Sequence, residues 1–86
     1  MNKKLFPKHK EYIMNNIGYS DYSIKVLFNL IERQNYLQII YSYNIEVLEY
    51  LMRSALEEED YITCQKIQET VRLHNKATGS NLTLKS

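Results

Sequence analysis

Only Pro7, Gly18 and Gly79, three residues in a chain of 86, are of the types that break a helix. Turn-rich β folds need Gly and Pro at short intervals, so this scarcity favours an all-α fold. A chain of this length makes one domain, burying only roughly 60–65% of the surface its unfolded form exposes. An interface with another chain would add apolar burial to such a small core.

Apolar spacing places the helices. In "PKHKEYIMNNI", residues 7–17, Pro7 suits a first helical position and Gly18 a left-handed C-terminal cap. Tyr12, Ile13 and Ile17 form a short stripe there. Next, Ser20 or Asp21 caps a helix in which Ile24, Leu27, Phe28 and Ile31 recur at three- and four-residue spacing, with Val26 and Leu30 widening the face. The stretch 36–47 reads two ways: Leu37, Ile39, Tyr41, Tyr43, Ile45 and Val47 alternate as a strand does, whereas Tyr36, Ile40, Tyr43, Val47, Leu51 and Ala55 fit a helical stripe. The helical pattern runs on without a breaker, and Asn35 with Gln38 resembles a capping box, so the prediction is one long helix over about 36–58 whose weak point is Asn44. Asp60 then caps a last helix with Cys64, Ile67, Val71 and His74 along one face. The expected architecture is a small antiparallel bundle of three to four helices around a long central one. A basic N-terminal arm over 1–6 precedes the helical domain of 7–76, and a flexible tail over 77–86 follows it.

One local pattern occurs twice, 25 residues apart: "LIERQNYL" (30–37) and "ALEEEDYI" (55–62). In each, a helix ends in polar residues, an Asn or Asp stands ready to cap the next helix, and a Tyr follows that can fold over the junction. Glutamates at a helix C-terminus oppose the macrodipole by roughly 0.3–1 kcal/mol each, while an Asp N-cap contributes about 1 kcal/mol. Glu57, Glu58, Glu59 and Asp60 therefore read as an elbow at 59–60. As a metal site they fail, because consecutive helix positions diverge by about 100° and the spaced acids and Gly of a calcium loop are missing.

The elbow carries a resemblance. "ALEEEDYITCQKIQETV" (55–71) resembles the UVR-type helical hairpin of bacterial nucleotide-excision-repair subunits and some protease-adaptor proteins. Ala55, Asp60, Tyr61, Cys64 and Ile67 stand in the matching places over 55–69, whereas Ile62 replaces a usual Glu and Gln68-Glu69 a usual Arg-Asp pair. The resemblance implies a helical hairpin used for protein–protein association, often by pairing with a second hairpin.

Catalytic chemistry finds no support. Cys64 as a nucleophile needs a base, and His74 lies about 15 Å along the same helix. His9 stands on another element, and a small apolar core residue is the commoner role for a lone Cys. No phosphate loop, His/Glu metal motif or Ser-centred elbow occurs, so neither a cofactor nor a small-molecule substrate is expected. Net charge is +1, with the basic residues Lys3, Lys4, Lys8, His9 and Lys10 opposite the acidic elbow. That polarity suits either a solvated arm, a phosphate contact, or head-to-tail contact between copies. No apolar run approaches the length of a membrane span and no signal-peptide core follows the basic start, so the expected location is cytoplasmic.

Eight tyrosines are more than a small core can bury with satisfied hydroxyls, and Tyr is enriched at interface hot spots. The expected function is a small non-enzymatic helical interaction module that self-associates or binds another protein. Its contact residues would be Leu48, Leu51, Ala55, Tyr61, Ile67 and Val71. Abundant Asn, Ile, Lys and Tyr fit an AT-rich genome, and with it a phage or mobile-element accessory or virion protein. The competing reading is a helix-turn-helix-like DNA regulator reading bases with Gln65, Lys66, Gln68, Arg72 and Asn75, although the acidic elbow would meet phosphates with the wrong sign.

Overall fold

The computed structural model describes the backbone of residues 5–85 and the side chains of residues 9–85. Most of the basic arm expected over 1–6 lies outside the described residues. Within them the chain is all-helical: α1 (Leu5–Tyr12), a π-helical turn (Ile13–Ile17), α2 (Asp21–Glu32), α3 (Tyr36–Ser42), α4 (Ile45–Glu57) and α5 (Tyr61–Thr78). The backbone groups two units, one ending at Asn35 and one beginning at Tyr36.

In the first unit α1 starts at Leu5, so Pro7 falls at its third position rather than its first. That is still inside the first turn, where no intrahelical N–H partner is lost. The π turn closes with the Gly18 N–H donating to the Ile13 carbonyl at 2.9 Å, and Gly18 takes φ 95°, the left-handed cap its position called for. Ser20 caps α2 by accepting from the Ser23 N–H at 3.2 Å. Ile13, Ile24, Leu27 and Phe28 are buried, whereas Val26 is exposed and Ile31 only half-buried. The buried stripe of α2 is thus narrower than its apolar content implies. An ion pair from Lys10 to Asp21 links α1 to the first turn of α2.

The second unit corrects the long central helix. Residues 36–47 contain no strand, but neither is 36–58 one helix: α3 ends at Ser42, and Asn44 adopts an extended backbone (φ −74°, ψ 152°) before α4 begins. With that division the described residues hold five α-helices rather than three to four. The break is made by the backbone: the Tyr43 N–H closes α3 on the Ile39 carbonyl at 2.9 Å and the Val47 N–H opens α4 on the Asn44 carbonyl at 3.0 Å, while the Asn44 side chain makes no capping hydrogen bond. α3, α4 and α5 pack on one another. Ile39, Val47, Leu48 and Ile67 are fully buried, with Tyr36, Leu51, Met52, Ala55, Cys64 and Val71 nearly so. Each fully buried aliphatic side chain contributes about 1.5–3 kcal/mol of transfer free energy.

α5 continues to Thr78, two residues beyond the expected helical region, and Gly79 ends it in a left-handed conformation at φ 73°. Residues 79–85 have no regular secondary structure, yet polar contacts tie them back to the helices. The Asn75 side chain donates to the Leu82 carbonyl at 2.9 Å and accepts from the Leu82 N–H at 3.0 Å. The Glu49 carboxylate accepts from the Lys85 N–H at 2.9 Å.

Candidate interaction surface

The two look-alike segments make the same backbone turn. At the first, the N–H groups of Arg33, Gln34 and Asn35 donate to the carbonyls of Asn29, Ile31 and Leu30 at 3.1, 3.0 and 2.9 Å. At the second, those of Glu58, Glu59 and Asp60 donate to Ser54, Leu56 and Ala55 at 3.1, 3.1 and 2.8 Å. The third bond of each set is the six-residue closure of a Schellman ending, which satisfies carbonyls a helix terminus leaves orphaned. Gln34 and Glu59 hold the left-handed position at φ 57° and 58°. Glycine is the usual residue there, so a side chain in that conformation carries a cost of roughly 1–2 kcal/mol.

Asp60 fulfils the capping role expected of it. Its carboxylate accepts from the Thr63 backbone N–H at 3.2 Å and from the Thr63 hydroxyl at 2.6 Å. The hydroxyl bond and then the backbone bond hold the Asp60 carboxyl below its ordinary pKa. Tyr36, which opens α3, is buried, with Thr63 and Asp60 near enough to act on its phenol. Burial is the main cause that pushes the Tyr36 phenol above its ordinary pKa, and the nearby Asp60 charge adds to it. The cap of α5 thus lies beside the first residue of α3.

Among the six expected contact residues, Leu48, Leu51, Ala55, Ile67 and Val71 are buried in the single chain. The stripe they form is the packing face of α4 and α5. Tyr61 differs, being 61% exposed, and beside it Ile62 is 67% exposed. Leu56, on the other side of the elbow, is exposed too. These three apolar side chains flank Glu57, Glu58, Glu59 and Asp60, all exposed. Sequence reasoning named Ile62 only as a departure from the hairpin pattern and passed over Leu73, although their signal was present. Eleven positions apart, they share a face of α5 three turns along, on the side away from Cys64, Ile67 and Val71. Leu73 is exposed accordingly.

The tyrosines divide as their number demands. Tyr22, Tyr41 and Tyr61 are exposed, Tyr12, Tyr19, Tyr43 and Tyr50 are half-buried, and Tyr36 is buried. Cys64 is buried, its Sγ 3.8 Å from the Met52 carbonyl, a packing position between α4 and α5. The His74 ring meets Tyr41 edge-on at 5.5 Å, and its buried Nδ1 has no hydrogen-bond partner among the described residues. Of the residues a DNA reader would use, Arg72 pairs with Glu69, and Asn75 is committed to the Leu82 backbone. Among the described residues no group of three His, Cys, Asp or Glu side chains is placed to hold a metal ion. No helix among them is long and apolar enough to cross a membrane.

No family model, curated protein or solved structure matches the chain.

Proposed function

We propose that this chain is a non-enzymatic helical protein–protein interaction module that self-associates through the elbow between α4 and α5. The observation that carries this reading is the exposure of Tyr61 and Ile62 in the first turn of α5, on a backbone that hydrogen bonds hold in place. Large apolar side chains at a fixed, solvent-facing turn lose little conformational freedom on binding, so contact there is efficient. The contact surface accordingly moves from the buried stripe to Leu56, Tyr61 and Ile62, with Tyr61 common to both. The likeness of residues 55–69 to the UVR-type hairpin fits the same reading, because that hairpin associates by pairing with another. A phage or mobile-element accessory or virion protein remains the setting that the composition supports.

The DNA-binding alternative is less well supported, since Arg72 and Asn75 already have partners within the chain. Light scattering on wild type and Ile62→Asp tests the proposal. Concentration-dependent mass in the wild type, lost in Ile62→Asp at unchanged helicity, is the expected result. A wild-type monomer at every concentration, or a salt-sensitive shift of duplex DNA with no self-association, overturns it.

A further inference from the structure

The outward face of α5 carries an ordered row of side chains. At about 100° per residue, Ile62, Lys66, Glu69, Leu73 and Lys76 fall within about 80° of arc, opposite the buried Cys64, Ile67 and Val71. All five are exposed, Ile62 by 67% and Leu73 by 50%. Their order matters more than their composition. Ile62 and Leu73 are centred on the midpoint between Ile67 and Gln68, and so are Lys66 and Glu69. Turning the helix end over end about that point puts an apolar side chain where an apolar one stood, and a carboxylate where an ammonium stood. A row with this property is complementary to itself, which is what a two-fold contact between identical chains requires.

We infer that the outward face of α5 pairs antiparallel with the same face of a second copy, Ile62 of each chain packing on the partner's Leu73 and Lys66 of each meeting the partner's Glu69. The inference rests on the self-association proposed above and gives it an orientation, since Ile62 belongs both to the elbow and to this face. Charge decides between this orientation and a contact of elbow on elbow. Two elbows face to face would bring together two sets of Glu57, Glu58, Glu59 and Asp60, all exposed, and like charges so juxtaposed are disfavoured. In the antiparallel pair the elbows lie at opposite ends, roughly 20–25 Å apart along the axis and beyond the Debye length of about 8 Å at physiological salt. Each elbow then lies toward the end of the partner helix that carries Lys76. Glu69 is prepared for its contact as well. Arg72 donates to both of its carboxylate oxygens, which fixes the side chain, and a carboxylate keeps lone pairs for a second donor. One pair of helices covers less than the roughly 800 Å² per partner of a standard stable complex, so the pairing is weak and reversible.

Charge reversal tests the pairing in full-length chains, followed by sedimentation from on the order of 10 µM to 1 mM protein. Lys66→Glu sets like charges opposite each other twice per dimer and should weaken self-association about tenfold. Glu69→Lys serves as an independent single reversal with the same expected result. Lys66→Glu/Glu69→Lys keeps the wild-type net charge and should recover wild-type affinity to within about threefold. Mixed with wild type, the doubly reversed chain should sort into its own dimers, because every mixed pair juxtaposes like charges. Circular dichroism checks that the helices persist in each variant. A double variant no stronger than the single ones, or single reversals without effect, overturns the antiparallel pairing even where wild type self-associates and Ile62→Asp does not. Failure of the elbow reading looks different: wild type then stays monomeric at every concentration, which overturns this pairing with it.

Discussion

The two elbows share a backbone and differ in what their tyrosines do. Both close the preceding helix with the same three hydrogen bonds, put a side chain in the left-handed position, and begin the next helix with Tyr. Tyr36 is 4% exposed and Tyr61 is 61% exposed. Local chemistry therefore fixes the turn, while the surroundings of the new helix decide whether its first aromatic becomes core or surface. Tyr36 opens a helix that packs on α4 and α5, so its ring goes into that shared layer, with Thr63 beside its phenol. Tyr61 keeps its ring in solvent, beside Ile62, where a second chain can cover it.

The largest consequence concerns stability. Tyr36→Ala should cost about 3–5 kcal/mol, as loss of a buried aromatic does, whereas Tyr61→Ala should stay within about 0.5 kcal/mol. Urea melts of the two variants check this, and equal losses would break the contrast. The same asymmetry has an alkaline signature. Because the folded state raises the Tyr36 pKa, its contribution is intact below the unfolded value near 10 and is lost as pH rises past it. Tyr36→Phe should flatten that decline, and Tyr61→Phe should leave it in place.

A smaller effect is expected at the cap. Asp60→Ala should cost about 1 kcal/mol at neutral pH. Since Thr63 holds the folded Asp60 pKa below its ordinary value, this stabilisation is present above about pH 4 and disappears as pH falls through the folded value. Thermal melts of wild type and Asp60→Ala should therefore converge in acid. A difference that persists at low pH would show that the carboxylate charge is not what matters.

Much of this was legible in the residues and some was not. "LIERQNYL" and "ALEEEDYI" announced two elbows because helix ends depend on side chains a few positions apart. The apolar stripe of Leu48, Leu51 and Ala55 was equally visible, but a stripe looks the same whether its cover comes from another chain or from the same one. Ile67 and Val71 on α5 belong to the same buried layer in the single chain, a fact set by tertiary packing. The division at Tyr43 and Asn44 left only a faint trace, since Asn is compatible with a helix interior as well as with a cap. Leu82 and Leu84 were illegible for another reason. Two alternating residues are too few to establish a period, and the Asn75 pairing that gives them meaning comes from seven positions away.

The smallest expected effect tests the shared backbone itself. Glu59→Gly and Gln34→Gly each relieve a side chain of the left-handed region, but glycine also loosens the unfolded chain, leaving a net gain of about 0.5 kcal/mol. Equal gains at both sites would support equivalent turns, and a loss at either would contradict that equivalence.

The central claim is that Tyr61 and Ile62 face a partner copy while Tyr36 belongs to the core. A dilution series followed by side-chain NMR tests it most directly. The account predicts that Tyr61 and Ile62 resonances move with protein concentration while those of Tyr36, Leu48 and Ile67 hold still. Resonances that are all independent of concentration, or changes centred on Tyr36 and the buried stripe, would contradict it.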